Sequence, residues 1–217
     1  MTKEITKLTN DKAKNLKILK DFYVNDWGGL DSYVKNDKIL YEIFKKDHDN
    51  KDFIIHARVG MLSEMYSARV DNIPDMVEIL KKEKGEHEYK SIHDKYCGSK
   101  NGNKDLKSFI SKYVHWYNEV NNYKAIPIYD SEVREMIFDS FEKTQNGKRT
   151  IINVNDKNFT KNSLRTIDSL FEAIDKYIEM HFNDKGTHRE KVQIKDLHEE
   201  VSIYRLVDKF LWLSSKK

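Results

Sequence analysis

Very few residues in this chain interrupt helices: the 217 residues include 2 prolines and 8 glycines. These two residue types break helices most strongly, and they supply the frequent turns that an all-β sandwich or barrel needs. The hydrophobic fraction of 38% provides enough apolar side chains for a core, while charged residues make up 35%. We therefore predict a globular, mainly all-α protein with at most one short strand pair.

Apolar residues recur at helical spacing along most of the chain. They predict helices over 6–23, 37–46, 52–69, 86–96 and 106–117, one after Asn72, one capped by Asp130, one from Leu164 and one from Ser202. The helix over 52–69 is apolar on nearly every side, which predicts a place in the middle of a bundle. Residues 149–160 are interpreted as a short strand or a loop. Since no Pro/Gly/Ser-rich linker divides the chain, we expect a single helical domain over 1–217. A two-lobed form of this domain, with a central cleft, is compatible with the sequence.

Several classes of protein are disfavoured by composition. A single cysteine, Cys97, allows no internal disulfide, and the 8 histidines do not show the ligand spacing of a zinc site, so no metal is expected. The charged N-terminus has no apolar signal region, and no apolar run reaches membrane-spanning length. We expect a cytoplasmic monomer without a membrane or cofactor requirement. The net charge of +3 leaves room for a local basic face.

Lys112 is the first residue that could carry chemistry. The common nucleotide, zinc-protease and serine-hydrolase motifs are absent from the sequence. On the helix over 106–117, Lys112 falls about 120° from the centre of the apolar stripe, on a flank that it shares with Phe109 and Trp116. Such a position predicts partial desolvation, which favours a neutral, nucleophilic amine.

Asp130 is the second such residue. It follows the apolar run Ala125-Ile126-Pro127-Ile128-Tyr129 and precedes an amphipathic segment, so it is predicted to be the N-cap of a helix. The free backbone N–H groups of that helix would keep its carboxylate charged. An amine and a persistent anion together suit attack on a sugar carbon through a cationic intermediate.

This arrangement resembles the core of the helix-hairpin-helix DNA glycosylases, in particular the 8-oxoguanine-type glycosylase/lyases. The shared features are a helical lysine, about twenty residues, then a Pro-containing extended run into a capping aspartate. The likeness covers residues 104–133. The serine-lysine-tyrosine helix, the PIYDS run and the C-terminal Leu-Trp-Leu segment are also similar to uncharacterised bacterial proteins.

The resemblance implies a DNA glycosylase with an associated lyase activity that excises a damaged or hypermodified base, in DNA repair or in phage defence. Lys112 would be the nucleophile and Asp130 the assisting carboxylate. The side chains expected to contact the extruded nucleotide are Phe109, Trp116, Tyr129, Arg58, Tyr66 and Arg69. The lysines expected to bind DNA are Lys100, Lys104 and Lys107.

A second interpretation is structural. Lys112 would be a flank lysine extended over Trp116, and Asp130 an ordinary N-cap. The aromatic residues would then be core residues, and for Arg58, Tyr66 and Arg69 this interpretation predicts a buried ion pair with Glu64 or Asp71. On this interpretation the chain is a helical binding or assembly protein of a phage-related or toxin–antitoxin system. The surroundings of Lys112 distinguish the two interpretations.

Overall fold

A computed structural model describes residues 8, 11–24, 31–45, 52–66, 70, 72–97, 106–145, 148–151, 153–154, 157–158, 163–182, 191–194 and 199–215. The chain divides into two compact units. The middle unit is Gly28–Ile128, and the terminal unit combines Met1–Trp27 with Tyr129–Lys217. The expectation of a single domain with a cleft stays a prediction.

Helices dominate the described residues, which confirms the mainly α-helical class. Most of the helices begin within about three residues of the position that apolar periodicity predicts. The helix predicted over 37–46 lies instead at Asp31–Ile43, and the one predicted over 6–23 is described as Lys12–Val24. In chain order the helices are α1 (Lys12–Val24), α2 (Asp31–Ile43), α3 (Asp52–Met65), α4 (Ile73–Leu80), α5 (Tyr89–Cys97), α6 (Lys107–Val120), α7 (Ser131–Phe141), α8 (Ile167–Phe182) and α9 (Ile203–Ser215). None of these described helices is both long enough and apolar enough to cross a membrane.

The strands form more pairs than the sequence predicts. Three antiparallel two-stranded ladders are described, where at most one short pair was expected. They are β1 (Glu142–Gln145) with β2 (Lys148–Ile151), β3 (Asn153–Val154) with β4 (Lys157–Asn158), and β5 (Lys191–Ile194) with β6 (Glu199–Ser202). Polar and charged residues are frequent in these strands, so the apolar alternation that marks a half-buried strand is weak. The short-strand prediction for 149–160 is confirmed by parts of the first two ladders.

Helix α6 is the central helix of the middle unit. It packs against α2, α3 and α5, and every residue from Phe109 to Glu119 is buried. We expected α3 to hold the central position, but Phe53 in its first turn is 65% exposed. Its run of apolar residues continues onto the solvent face, whereas α6 buries polar residues together with apolar ones. The most buried helix is therefore not the most apolar one.

Local signals fix the ends of two helices in the middle unit. Asn72 caps α4: its side-chain oxygen accepts from the backbone N–H of Asp75 over 3.2 Å, and Pro74 lies in the first turn as predicted. Helix α6 ends where Asn122 adopts φ of 60°, and the N–H of Tyr123 donates to the carbonyl of Asn118 over 2.9 Å. This is a Schellman-type ending with asparagine in the left-handed position. It turns the chain into the connector over 123–129.

The terminal unit packs α1 and α7 against α8 and α9. Apolar residues of α8 and α9, including Leu170, Ile178 and Leu211, form its core. Two side chains of α1 bind the end of α8: Lys12 donates to the carbonyl of Glu179 over 2.8 Å, and Asn15 to that of His181 over 2.9 Å. These bonds satisfy carbonyls that have no partner within the helix.

Candidate active site

Lys112 lies in the core of the middle unit. Its side chain projects from α6, and the residue is 3% exposed. The Nζ atom lies 2.6 Å from the Oγ atom of Ser108, one turn earlier, and 5.1 Å from the centroid of the Tyr66 ring. Burial is more complete than the partial desolvation predicted from the flank position, because α6 is covered on all sides. A buried lysine normally requires polar partners, and Ser108 and Tyr66 act as two of them.

Tyr66 connects this lysine to the aromatic core. Its hydroxyl accepts from the Nε1 of Trp116 over 3.1 Å, while its ring faces the Lys112 amine. Trp116 is fully buried and makes an edge-to-face contact with Tyr41, with 5.5 Å between ring centroids. Phe109 is also buried. Phe109 and Trp116 are thus core residues in this structure, and their contact with a nucleotide stays a prediction.

Arg58 supports the end of α2. Its Nε donates to the carbonyl of Ile43 over 2.7 Å, and its Nη2 to that of Lys45 over 2.8 Å. Its guanidinium also lies over the rings of Phe44 and Tyr117. These contacts give Arg58, which is 1% exposed, a structural role different from the ion pair considered above. Of that set, Arg69 and Asp71 lie outside the described residues, and Glu64 is exposed.

Asp130 is the N-cap of α7, as predicted. Its Oδ1 accepts from the backbone N–H of Glu132 over 2.8 Å and lies 3.5 Å from that of Val133. The carboxylate is half-buried. The carboxylate therefore satisfies backbone N–H groups at the first turn of α7 that have no partner within the helix.

Tyr129 and Arg134 flank the cap. The Tyr129 hydroxyl donates to the carbonyl of Arg165 over 3.3 Å and accepts from Nη1 of Arg134 over 3.4 Å. Burial acts to lower the pKa of Arg134, but hydrogen bonds to Glu135 and Tyr129 outweigh it and raise that pKa. The cap of α7 therefore has a permanent cation one turn away. Arg134 was not among the residues singled out from sequence.

Polar residues on α6 attach the connector to the lysine's helix. His115 Nδ1 lies 2.7 Å from the carbonyl oxygen of Ile126. Asn118 donates to the carbonyl of Lys124 over 3.1 Å and also bonds both backbone groups of His87. Sequence reasoning missed His115 and Asn118. The available signal was that both are polar and come three and six residues after Lys112 in the sequence.

The lysines predicted to bind DNA are described only in part. Lys107 is the first residue of α6 and is half-buried. Lys100 and Lys104 lie outside the described residues. DNA binding through these lysines stays a prediction.

The two principal residues belong to different units: Lys112 to the middle unit and Asp130 to the terminal unit. The prediction that both face one cleft stays a prediction. Within the described part of the chain, no group of three or more His, Cys, Asp or Glu residues could hold a metal ion.

Comparison with known proteins identifies no relative of this chain: no protein-family model, no curated protein and no solved structure matches it.

Proposed function

We propose that this protein is a DNA glycosylase with an associated lyase activity, in which Lys112 is the nucleophile. The observation that carries the proposal is the burial of the Lys112 amine in the core of the middle unit, where the residue is 3% exposed. Lysine is among the residues least often fully buried. Burial removes the water that stabilises a charged amine, so it favours the neutral form. The neutral amine is the form that attacks carbon.

The chemistry follows from an amine and a carboxylate. The neutral amine of Lys112 attacks the C1′ carbon of the target nucleotide, forming a C–N bond as the glycosidic bond breaks. The bonding electrons leave with the base, which takes a proton from solvent. As the C1′–O4′ bond breaks, the amine passes a proton to the ring oxygen and the adduct becomes a Schiff base. Loss of a C2′ proton then expels the 3′ phosphate, and water hydrolyses the imine to release the Lys112 amine.

Asp130 is assigned the electrostatic part of this reaction. Positive charge develops on the sugar as the base departs, and a nearby carboxylate stabilises that charge. The N-cap bonds hold the Asp130 carboxylate at the start of α7. No cofactor is required by this scheme.

DNA is the partner that the proposal requires. Lysines 100, 104 and 107 would neutralise phosphates, and the target base would be turned out of the helix to reach the amine. A monomer acting on DNA in the cytoplasm, in repair or in defence against phage DNA, fits this assignment.

The test is trapping of the Schiff base. The full-length protein is incubated with duplexes carrying oxidised, alkylated or hypermodified bases, or an abasic site, in the presence of borohydride. We expect a covalent protein–DNA adduct whose modified peptide contains Lys112. Lys112→Met, which keeps a buried chain of similar length, should give no adduct, while Lys90→Gln, at an exposed position of α5, should behave like the wild type.

Two results would contradict the proposal. If the wild type forms no adduct with any of these duplexes while the protein is folded, the glycosylase assignment is wrong. If Lys112→Met still forms adduct, another amine is the nucleophile.

A second candidate, a helical binding or assembly protein, is favoured by one feature of the middle unit. Helices α2 and α3 border an open groove of about 460 Å³ lined by Lys38, Ile39, Glu42, Ile43 and Ile54. Ile39 is 46% exposed, and Phe53 at the start of α3 is 65% exposed. Exposed apolar side chains beside a groove are typical of protein contacts. Failure of all trapping experiments would leave this candidate in place.

A further inference from the structure

Ser108 is the nearest hydrogen-bonding side chain described for the Lys112 amine. The two residues are four apart on α6, so they share one face of the helix. Their Oγ and Nζ atoms are separated by 2.6 Å, and Lys112 is 3% exposed whereas Ser108 is half-buried. A serine hydroxyl can accept from an amine N–H and at the same time donate its own hydrogen elsewhere.

We infer that Ser108 is a positioning residue for Lys112: its hydroxyl oxygen accepts from the amine, stabilises the ammonium form and fixes where the nitrogen points. The inference rests on the proposed function for its catalytic consequence. Its structural part, the hydrogen bond from the amine to the Ser108 hydroxyl, is independent of that function.

The Tyr66 ring also stabilises the ammonium form of Lys112. A cation 5.1 Å from the centroid of a tyrosine ring is attracted by the negative face of the ring. An aromatic face cannot take up a proton, whereas the Ser108 oxygen can accept the hydrogen bond of the ammonium. Two other titratable residues of α6 lie on the same face as Lys112. The His115 ring is engaged with the connector carbonyl of Ile126, and the buried Glu119 accepts from the Tyr41 hydroxyl over 3.2 Å.

The helix makes Ser108 a suitable residue to test. Alanine is the best helix former, so Ser108→Ala should leave α6 intact. Ser111 provides a matched control one turn away, because its hydroxyl donates to the backbone carbonyl of Ser108 over 3.1 Å. Ser111→Ala removes a buried hydroxyl from the same helix without removing the described partner of Lys112.

The experiment follows the Lys112 side chain by NMR. The ¹³Cε signal, assigned by its absence in Lys112→Met, is titrated in the full-length protein without DNA. For Ser108→Ala we expect the pH midpoint of this signal to fall by about one unit, since a hydrogen bond that stabilises the charged form is lost. Ser108→Thr should restore the midpoint, and Ser111→Ala should leave it within about 0.3 unit.

Trapping with borohydride adds the catalytic readout. Ser108→Ala should form adduct on the order of ten-fold more slowly than the wild type at a pH above both midpoints, because the neutral amine is no longer held in place. Ser108→Thr should recover most of that rate.

The outcomes separate the two proposals. An unchanged midpoint in Ser108→Ala would overturn the role of Ser108, whether or not adduct forms. A shifted midpoint with no adduct in the wild type would support the control of Lys112 by Ser108 and reject the glycosylase function.

Discussion

The Nδ1 atom of His115 lies 2.7 Å from the carbonyl oxygen of Ile126. A carbonyl oxygen can only accept, so this imidazole nitrogen carries the hydrogen. His115 comes three residues after Lys112 on α6, and Ile126 comes four residues before Asp130. This hydrogen bond therefore attaches the connector over 123–129, which leads to Asp130, to α6, the helix that carries Lys112.

Replacing the buried His115 by leucine should destabilise the protein by about 1–3 kcal/mol, because the half-buried carbonyl of Ile126 loses this donor. Urea denaturation of the two proteins gives the difference. His56→Leu, at an exposed position of α3, is the control and should change stability by less than about 0.5 kcal/mol. Equal stability of His115→Leu and wild type would show that the bond does not anchor the connector.

Two substitutions at Asp130 separate its structural role from its charge. Asparagine keeps a side-chain oxygen that can accept from Glu132, whereas alanine removes it. We expect Asp130→Asn to unfold within about 0.5 kcal/mol of the wild type and Asp130→Ala to lose about 1 kcal/mol. Both should lower the rate of adduct formation by about 10² or more, because both remove the negative charge. An Asp130→Asn protein that forms adduct at the wild-type rate would make Asp130 a cap without a catalytic role.

Binding to duplex DNA should weaken steeply as salt increases. Each lysine that neutralises a phosphate contributes about 0.9 to the slope of log K against log salt. We expect the triple change Lys100→Gln, Lys104→Gln and Lys107→Gln to reduce that slope by about 2–3, measured by fluorescence anisotropy. The control replaces three exposed lysines elsewhere in the middle unit, Lys38, Lys82 and Lys90. Equal slopes for both triple variants would exclude the segment over 100–107 as the DNA contact.

Local patterns predicted the helices well because they depend on neighbouring residues. Periodicity placed α4, α6 and α8 within a few residues, and Asn72 and Asp130 act as the predicted caps. The strand prediction over 149–160 includes most of β2 but not β1, although Asn146-Gly147, a dipeptide typical of hairpins, separates the two strands in the sequence. The residues of β1 show no apolar alternation, so this dipeptide is the local signal that could have predicted the pair.

The surroundings of Lys112 could be predicted only in part. Helical spacing correctly places Ser108 beside it, but the apolar stripe cannot show how many neighbours cover the other faces of α6. The Tyr66 ring and the carbonyl of Ile126 come from distant parts of the chain or from a connector without periodicity. Contacts of this kind depend on tertiary packing, which a local pattern does not encode.

The stability of the terminal unit should depend on pH through His181. Burial lowers the pKa of His181 below its ordinary value of 6.5, and the charge of Lys12 lowers it further. Below pH 6.5 the unfolded chain therefore binds more protons at this residue than the folded chain. The free energy of unfolding should consequently fall as the pH drops from about 7 toward the lowered pKa, and His181 should contribute no pH dependence above that range.

His181→Phe tests this contribution. The substitution keeps an aromatic ring beside Tyr177, whose centroid lies 4.6 Å from that of the histidine, and removes the titrating group. Urea denaturation between pH 8 and 5.5 should show a shallower loss of stability in the variant, and His56→Phe should retain the wild-type slope. Lys12→Met should make the loss smaller than in the wild type, since one cause of the lowered pKa is removed. If His181→Phe loses stability with the wild-type slope, other groups account for the pH dependence in this range.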